Sequence, residues 1–178
     1  MPASALPARP PRHQRPSRPQ RAGDEFASLD QAHRAALDML AVFRRLVAHL
    51  DDQGLDVQAE ALAAQVLAYF DGPGRHHHDD EERLVFPEIV SLGDGELEAH
   101  VRRLRQDHHW IEQDWRELAP HVKAVAEGYN GYELALLQAA LPVFEALYVD
   151  HMALEETVVY PAARRVKAEA AQRRATVA

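Results

Sequence analysis

The chain reads as all-α, an antiparallel up-down-up-down four-helix bundle, on three observations. Apolar residues recur at steps of three and four through most of its length, with scarcely any strand-like alternation. The glycine-bearing turns between these stretches are short, which makes successive helices neighbours in space. One polar pattern occurs twice: His33, then His77-x-x-x-Glu81 with Pro87 beyond, and His108, then His151-x-x-x-Glu155 with Pro161 beyond. The His-to-His gaps are 44 and 43 residues, and residues 77–87 and 151–161 share five of eleven positions.

Each element follows from its stripe. Leu29, His33, Leu37, Leu40, Phe43, Val47 and Leu50 predict helix one over roughly 25–51, ended by Asp51-Asp52-Gln53-Gly54. Leu62, Val66, Phe70, His77, Glu81 and Leu84 predict helix two over roughly 56–91. Asp71-Gly72-Pro73-Gly74 places a kink, bulge or short loop inside it. Leu97, Val101, Leu104, His108, Ile111, Trp115, Leu118, Val122 and Val125 form the inward seam of helix three, about 96–127. Leu134, Leu137, Leu141, Phe144, Tyr148, His151, Glu155, Val158 and Ala162 predict helix four over about 131–170, bent at Pro142, with residues 171–178 a frayed terminus.

Composition narrows the function classes. A length of 178 residues suits one domain, here 24–170, with enough chain to bury a sizeable core. Cysteine is absent, so thiolate zinc sites, iron–sulfur clusters and disulfides are excluded, and any metal must be held by nitrogen and oxygen. Residues 1–23 carry five arginines, six prolines and no acid, the composition of a disordered, partly polyproline-like tail. The remaining residues hold 15 basic against 28 acidic groups, net −13. Such an acidic body argues against nucleic acid as a partner. No apolar run approaches the ~18 residues a membrane span needs, and the reading is a cytoplasmic protein without a membrane partner.

The polar residues of the seams carry the chemistry. A helix sets residues i and i+4 on one face, so each His-x-x-x-Glu offers an imidazole and a carboxylate to a common point. His33, His108, His151 and Glu155 occupy positions that the seam reserves for apolar side chains. A lone histidine there is ordinarily a hydrogen-bonded core residue; four at matched offsets, two with Glu at i+4, demand a shared role. Imidazole and carboxylate without thiolate suit iron, manganese, zinc or copper, and two bridging-capable carboxylates among four histidines favour two metals. Phe70, Leu104, Ile111, Trp115, Phe144, Tyr148 and Leu84 fall within a turn or two of these residues and are expected to wall a dry pocket.

These residues, with Glu-Glu-x-x-x-x-Pro after each pair (Glu81-Glu82 to Pro87, Glu155-Glu156 to Pro161), resemble the hemerythrin-like HHE cation-binding domain over roughly residues 24–168. The resemblance implies a non-haem site of two iron ions in an antiparallel four-helix bundle, with an oxo or hydroxo bridge. It makes His33 and His77 terminal ligands of one iron, His108 and His151 of the other, and Glu81 and Glu155 the bridges. O2, peroxide or nitric oxide is the implied small ligand. Oxygen-carrying hemerythrins have a second histidine four residues after the helix-three ligand, where this chain has Glu112. Glu112 is therefore a candidate additional ligand, against a face residue paired with Arg116. His78 is another, against a surface role or one behind the ligands; a symmetric six-ligand site is the third arrangement. The functional expectation is a binding, sensing or scavenging module rather than an enzyme. The alternatives are a di-iron enzyme acting on peroxide or nitric oxide, an iron donor for iron–sulfur repair, and a structural or signalling bundle with a stabilising metal.

Overall fold

A computed structural model of the chain describes residues 24–177, and the expected tail over residues 1–23 lies outside them. Among the described residues there are helices and turns and no strand. Helix α1 spans Asp24–Asp52; α2, α3 and α4 span Val57–Phe70, Pro73–Leu84 and Phe86–Val90. Helix α5 spans Gly95–Ala126, and α6 spans Leu134–Leu154. A π-turn at Glu155–Val159 leads into α7, Tyr160–Val177. Helix α1 packs on α2 and α6, and α5 packs on the same two, which closes a ring of four helices around one interior.

The local chemistry of the helix ends fixes these boundaries. Asp56 and Asp94 accept hydrogen bonds from the first free N–H groups of α2 and α5, as N-caps do. Gly54, Gly93 and Gly128 end α1, α4 and α5 with φ of 77°, 66° and 73°, a region that costs glycine little. The break expected near residues 71–74 is present: Asp71 and Gly72 form a turn and Pro73 opens α3. Gly74 lets α3 approach Tyr69 closely, because a Cβ there would stand 3.1 Å from the Tyr69 ring and the ring would have to give way.

Two further breaks escaped the periodicity. Helix two does not run to residue 91; it interrupts at Val85 and restarts at Phe86 with Pro87 in its first turn. Helix four continues through Pro142 and breaks instead at Glu155–Val159, where the Tyr160 N–H donates to the Glu155 carbonyl five residues back. Both breaks fall just before the proline of the repeated pattern, whose missing N–H cannot continue the helical ladder. The π-turn advances the phase by one residue, so Val159 rather than Val158 is buried. Likewise Ala36 takes the inward place expected for Leu37, which is 47 % exposed, and Val85 that of Leu84, 37 % exposed. Residues 171–177 remain helical, as the end of α7.

The buried side chains divide into two apolar clusters. One gathers Phe43, Phe70, Trp115, Phe144 and Tyr148 from α1, α2, α5 and α6. The other gathers Phe26, Phe86, Leu104 and Tyr160 with their neighbours. On every arm a buried polar group lies between them: His33 after Leu29 and before Ala36, His108 between Leu104 and Ile111. His77 and Glu81 fall between Phe70 and Val85, and His151 and Glu155 between Tyr148 and Val159. The bundle thus encloses one polar layer between two dry ones.

Candidate metal centre

The polar layer consists of His33, His77, His78, Glu81, His108, His151 and Glu155, all buried, with both carboxylates fully so. Helices α1, α3, α5 and α6 and the π-turn supply them, and the i,i+4 spacing works as geometry demands. His77 Nε2 lies 3.4 Å from Glu81 Oε1, and His151 Nε2 lies 3.3 Å from Glu155 Oε2. The donors form overlapping groups in which the ligating atoms lie within 4.8 Å of one another. One is His33, His77, Glu81 and Glu155; a second is Glu81, His108, His151 and Glu155; a third is His78, His108 and His151. Glu81 and Glu155 belong to both of the first two groups. Glu81 turns Oε1 toward His77 and Oε2 toward His108 Nε2, 3.3 Å away, so one carboxylate faces both sides. Glu155 Oε2 stands 3.2 Å from His33 Nε2 and 3.3 Å from His151 Nε2.

A ring of acids outside these donors orients them. The Nδ1–H of His33 donates to Glu156 at 2.8 Å, and that of His108 to Glu82 at 3.3 Å. Glu82 and Glu156 are the second glutamates of the two Glu-Glu pairs, so each half of the repeat holds the histidine of the other half. His151 Nδ1 faces Asp107 at 3.9 Å. Anchoring Nδ1 of His33 and His108 in this way leaves their Nε2 nitrogens facing the donor groups. The repeat extends to ring packing: Tyr160 stacks on His33 and Phe86, its counterpart, on His108. The Tyr160 hydroxyl, with no counterpart in Phe86, donates to Glu81 Oε1 and lies 3.1 Å from His33 Nε2. The second departure from symmetry is His78, whose repeat counterpart is Met152.

Electrostatics follow from burial and these contacts. Burial opposes charge on His33 and His108, but carboxylates outweigh it: Glu155 and Glu81 raise His33 to about 10, and Glu81 and Glu82 raise His108 to about 9. Burial lowers His77 to about 4 and holds His78 and His151 below the ordinary imidazole range. Burial also works against charge on Glu81, yet His108 and His33 keep it ionised, whereas burial and the charge of Glu81 push Glu155 up. Burial, then Glu81, holds the Tyr160 hydroxyl protonated.

The donor set fits a metal on the test of polar satisfaction. Both ring nitrogens of His77 and His151, Nε2 of His78 and His108, Oε2 of Glu81 and both oxygens of Glu155 are buried without a hydrogen-bond partner. Groups so left cost about 1–3 kcal/mol each, more when charged, and one ligating atom of each residue falls within 4.8 Å of the others in its group. A cation satisfies them together.

The expected residues are distributed as follows. The structure brings together His33, His77, Glu81, His108, His151 and Glu155. His78, expected at the surface or behind the ligands, is buried and stacks on His108 with ring centroids 4.2 Å apart. Glu112 stands apart from the donor groups; it is half-exposed and accepts a hydrogen bond from Arg116 at 3.1 Å. Phe70, Ile111, Trp115 and Tyr148 line a cavity beside His78, whereas Leu104 and Phe144 pack inside the two cores and Leu84 is exposed. Sequence reasoning passed over Tyr160, Asp107, Glu82 and Glu156; the signal for three of these was the repeat itself, which pairs Glu82 with Glu156 and Phe86 with Tyr160. His121 accepts from the Glu133 N–H at the start of α6.

Five imidazoles and two shared carboxylates, buried between apolar layers of a helical bundle, define a cation-binding module. The chain belongs to the family described as "Hemerythrin HHE cation binding domain", whose model matches residues 24–163. It is also similar, at 26% identity over 93 residues, to an uncharacterized protein of Haemophilus influenzae; the match covers 52% of this chain and 51% of that one. The chain thus spans about half the length of that curated relative. No solved structure gives a significant match.

Proposed function

We propose that this bundle, its arms running up-down-up-down, holds two iron ions and that the pair binds O2, peroxide or nitric oxide for carriage, sensing or scavenging. The observation that carries the reading is the position of Glu81, whose two oxygens face histidines of both donor groups. In this assignment His33 and His77 belong to one ion and His108 and His151 to the other, with Glu81 and Glu155 common to both. His78 takes the additional ligand position, in preference to Glu112, because its Nε2 is buried, unpartnered and grouped with His108 and His151. Iron at such a site supplies reversible electron transfer and an open position for a small ligand.

The chain's own residues do the rest. Glu156 and Glu82 hold His33 and His108 in the Nδ1–H tautomer. Tyr160 donates a proton-bearing hydroxyl to Glu81 and fixes which way that carboxylate turns. The apolar layers on either side keep bulk water from the donors. A purely structural metal is disfavoured by the cavity that reaches His78, since closed structural sites need no opening.

Purified protein reduced under nitrogen and then exposed to air tests the reading through metal analysis joined to the optical spectrum. Iron in a two-to-one ratio to chain and a new charge-transfer band on air exposure support it. A chain that refuses iron, or holds a single zinc, overturns it.

A further inference from the structure

The cavity beside the centre has a chemistry of its own. It encloses about 650 Å³, within the roughly 300–1,000 Å³ range of small-molecule sites. This is far more than a diatomic gas needs. Its inner wall is apolar and aromatic, with Phe70 and Trp115 rings 5.0 Å apart and Ile111 and Tyr148 beside them. Tyr148 is buried, and its hydroxyl has no hydrogen-bond partner among the described residues, so one donor stands available in this wall. The mouth is basic: Arg75, Arg116 and Lys123 line it.

Each acid of the same cavity accepts a hydrogen bond, but among the described residues only Glu112 is ion-paired. Asp71 accepts from the Trp115 indole N–H at 2.8 Å, and Glu112 from Arg116 at 3.1 Å. Lys123 has only an exposed contact with Glu127 at 3.8 Å, and Arg75 has no ion pair among the described residues. The lining thus holds three basic groups against two acids, a local positive excess on a body that carries net −13. An apolar wall behind a basic mouth, in an acidic protein, complements an amphiphilic anion.

We infer that this cavity binds an organic acid with an apolar body, its carboxylate on Arg75 and Lys123 and its body against Phe70, Ile111 and Trp115. The inference concerns residues outside the metal ligands and needs no particular metal.

Calorimetric titration of the purified chain, with its metal content counted, tests it with decanoate as probe, below its micelle concentration, and decanol as the uncharged control. Decanoate is expected to saturate at one molecule per chain and decanol to bind at least tenfold more weakly. Arg75→Glu with Lys123→Glu is expected to weaken decanoate at least tenfold without changing metal content, and Ala119→Trp, which fills the cavity, to abolish binding. Absence of saturable heat, equal binding of decanol, or affinity untouched by the charge reversals overturns the inference. A chain that binds decanoate but no iron would contradict the di-iron reading alone; one that holds iron but ignores decanoate would contradict this inference alone.

Discussion

At the residue scale the site is a repeat with three substitutions that break its symmetry: His78 for Met152, Tyr160 for Phe86 and Asp107 for Ala32. If His78 rather than Glu112 completes the donor set, His78→Ala weakens binding at one of the two metal positions, while Glu112→Gln leaves both unchanged. Competition titration against a chelator separates the outcomes; a metal loss in Glu112→Gln would reverse the assignment. Acids that orient ligating histidines are worth about 10–100-fold in metal affinity, so Glu156→Gln and Glu82→Gln should each fall in that range. The same assay reads this, and wild-type affinity in both would remove their orienting role. The histidine ligand candidates were legible because spacing alone sets i and i+4 on one face. His78 was legible only as one candidate beside Glu112, because His76 and His78 lie to either side of His77 on a helix and the spacing does not say which faces inward. Tyr160 could be read only through the repeat, as the counterpart of Phe86, because the π-turn at Glu155–Val159 takes it out of the regular helical phase.

At the element scale, stripes of period 3.6 revealed the helices and their turns, since glycine and aspartate write the caps directly into the sequence. What the stripes could not show were the breaks at Val85 and Glu155–Val159. A proline in an otherwise good seam is compatible with a kink, a restart or a π-turn, and tertiary packing chooses among them. The apolar layers hold the polar one in place. Phe144, fully buried and packed on Phe70, Trp115 and Tyr148, should cost about 3–5 kcal/mol when replaced by alanine. Urea unfolding measures it, and a loss under about 1 kcal/mol would mean that this layer is less tightly packed than described.

At the scale of the whole molecule, protonation, folding and metal binding are linked. Ligating imidazoles must be neutral, yet His33 and His108 keep their protons up to about 10 and 9 in the ion-free fold. Metal uptake at neutral pH therefore releases protons, and affinity should rise between about pH 6 and 8; a flat profile would contradict this. Stability of the ion-free chain carries the opposite signs. The raised His33 and His108 contribute fully below the unfolded value near 6.5 and lose that contribution as pH climbs through about 9–10. The depressed His77 contributes above 6.5 and loses it as pH falls toward about 4. Thermal melts of the ion-free chain should peak near pH 6.5, and added metal should move the peak upward. Monotonic curves would refute the linkage.

The central claim is that the two donor groups hold a pair of ions through shared carboxylates. Electron paramagnetic resonance of the iron-loaded, air-oxidised chain tests it most directly, because two ferric ions joined through common bridging ligands couple and lose their signal. The account predicts two irons per chain with the ferric signal silent, and its appearance in Glu81→Ala. A signal from isolated ferric ions that accounts for all the iron bound by the unaltered chain would contradict it.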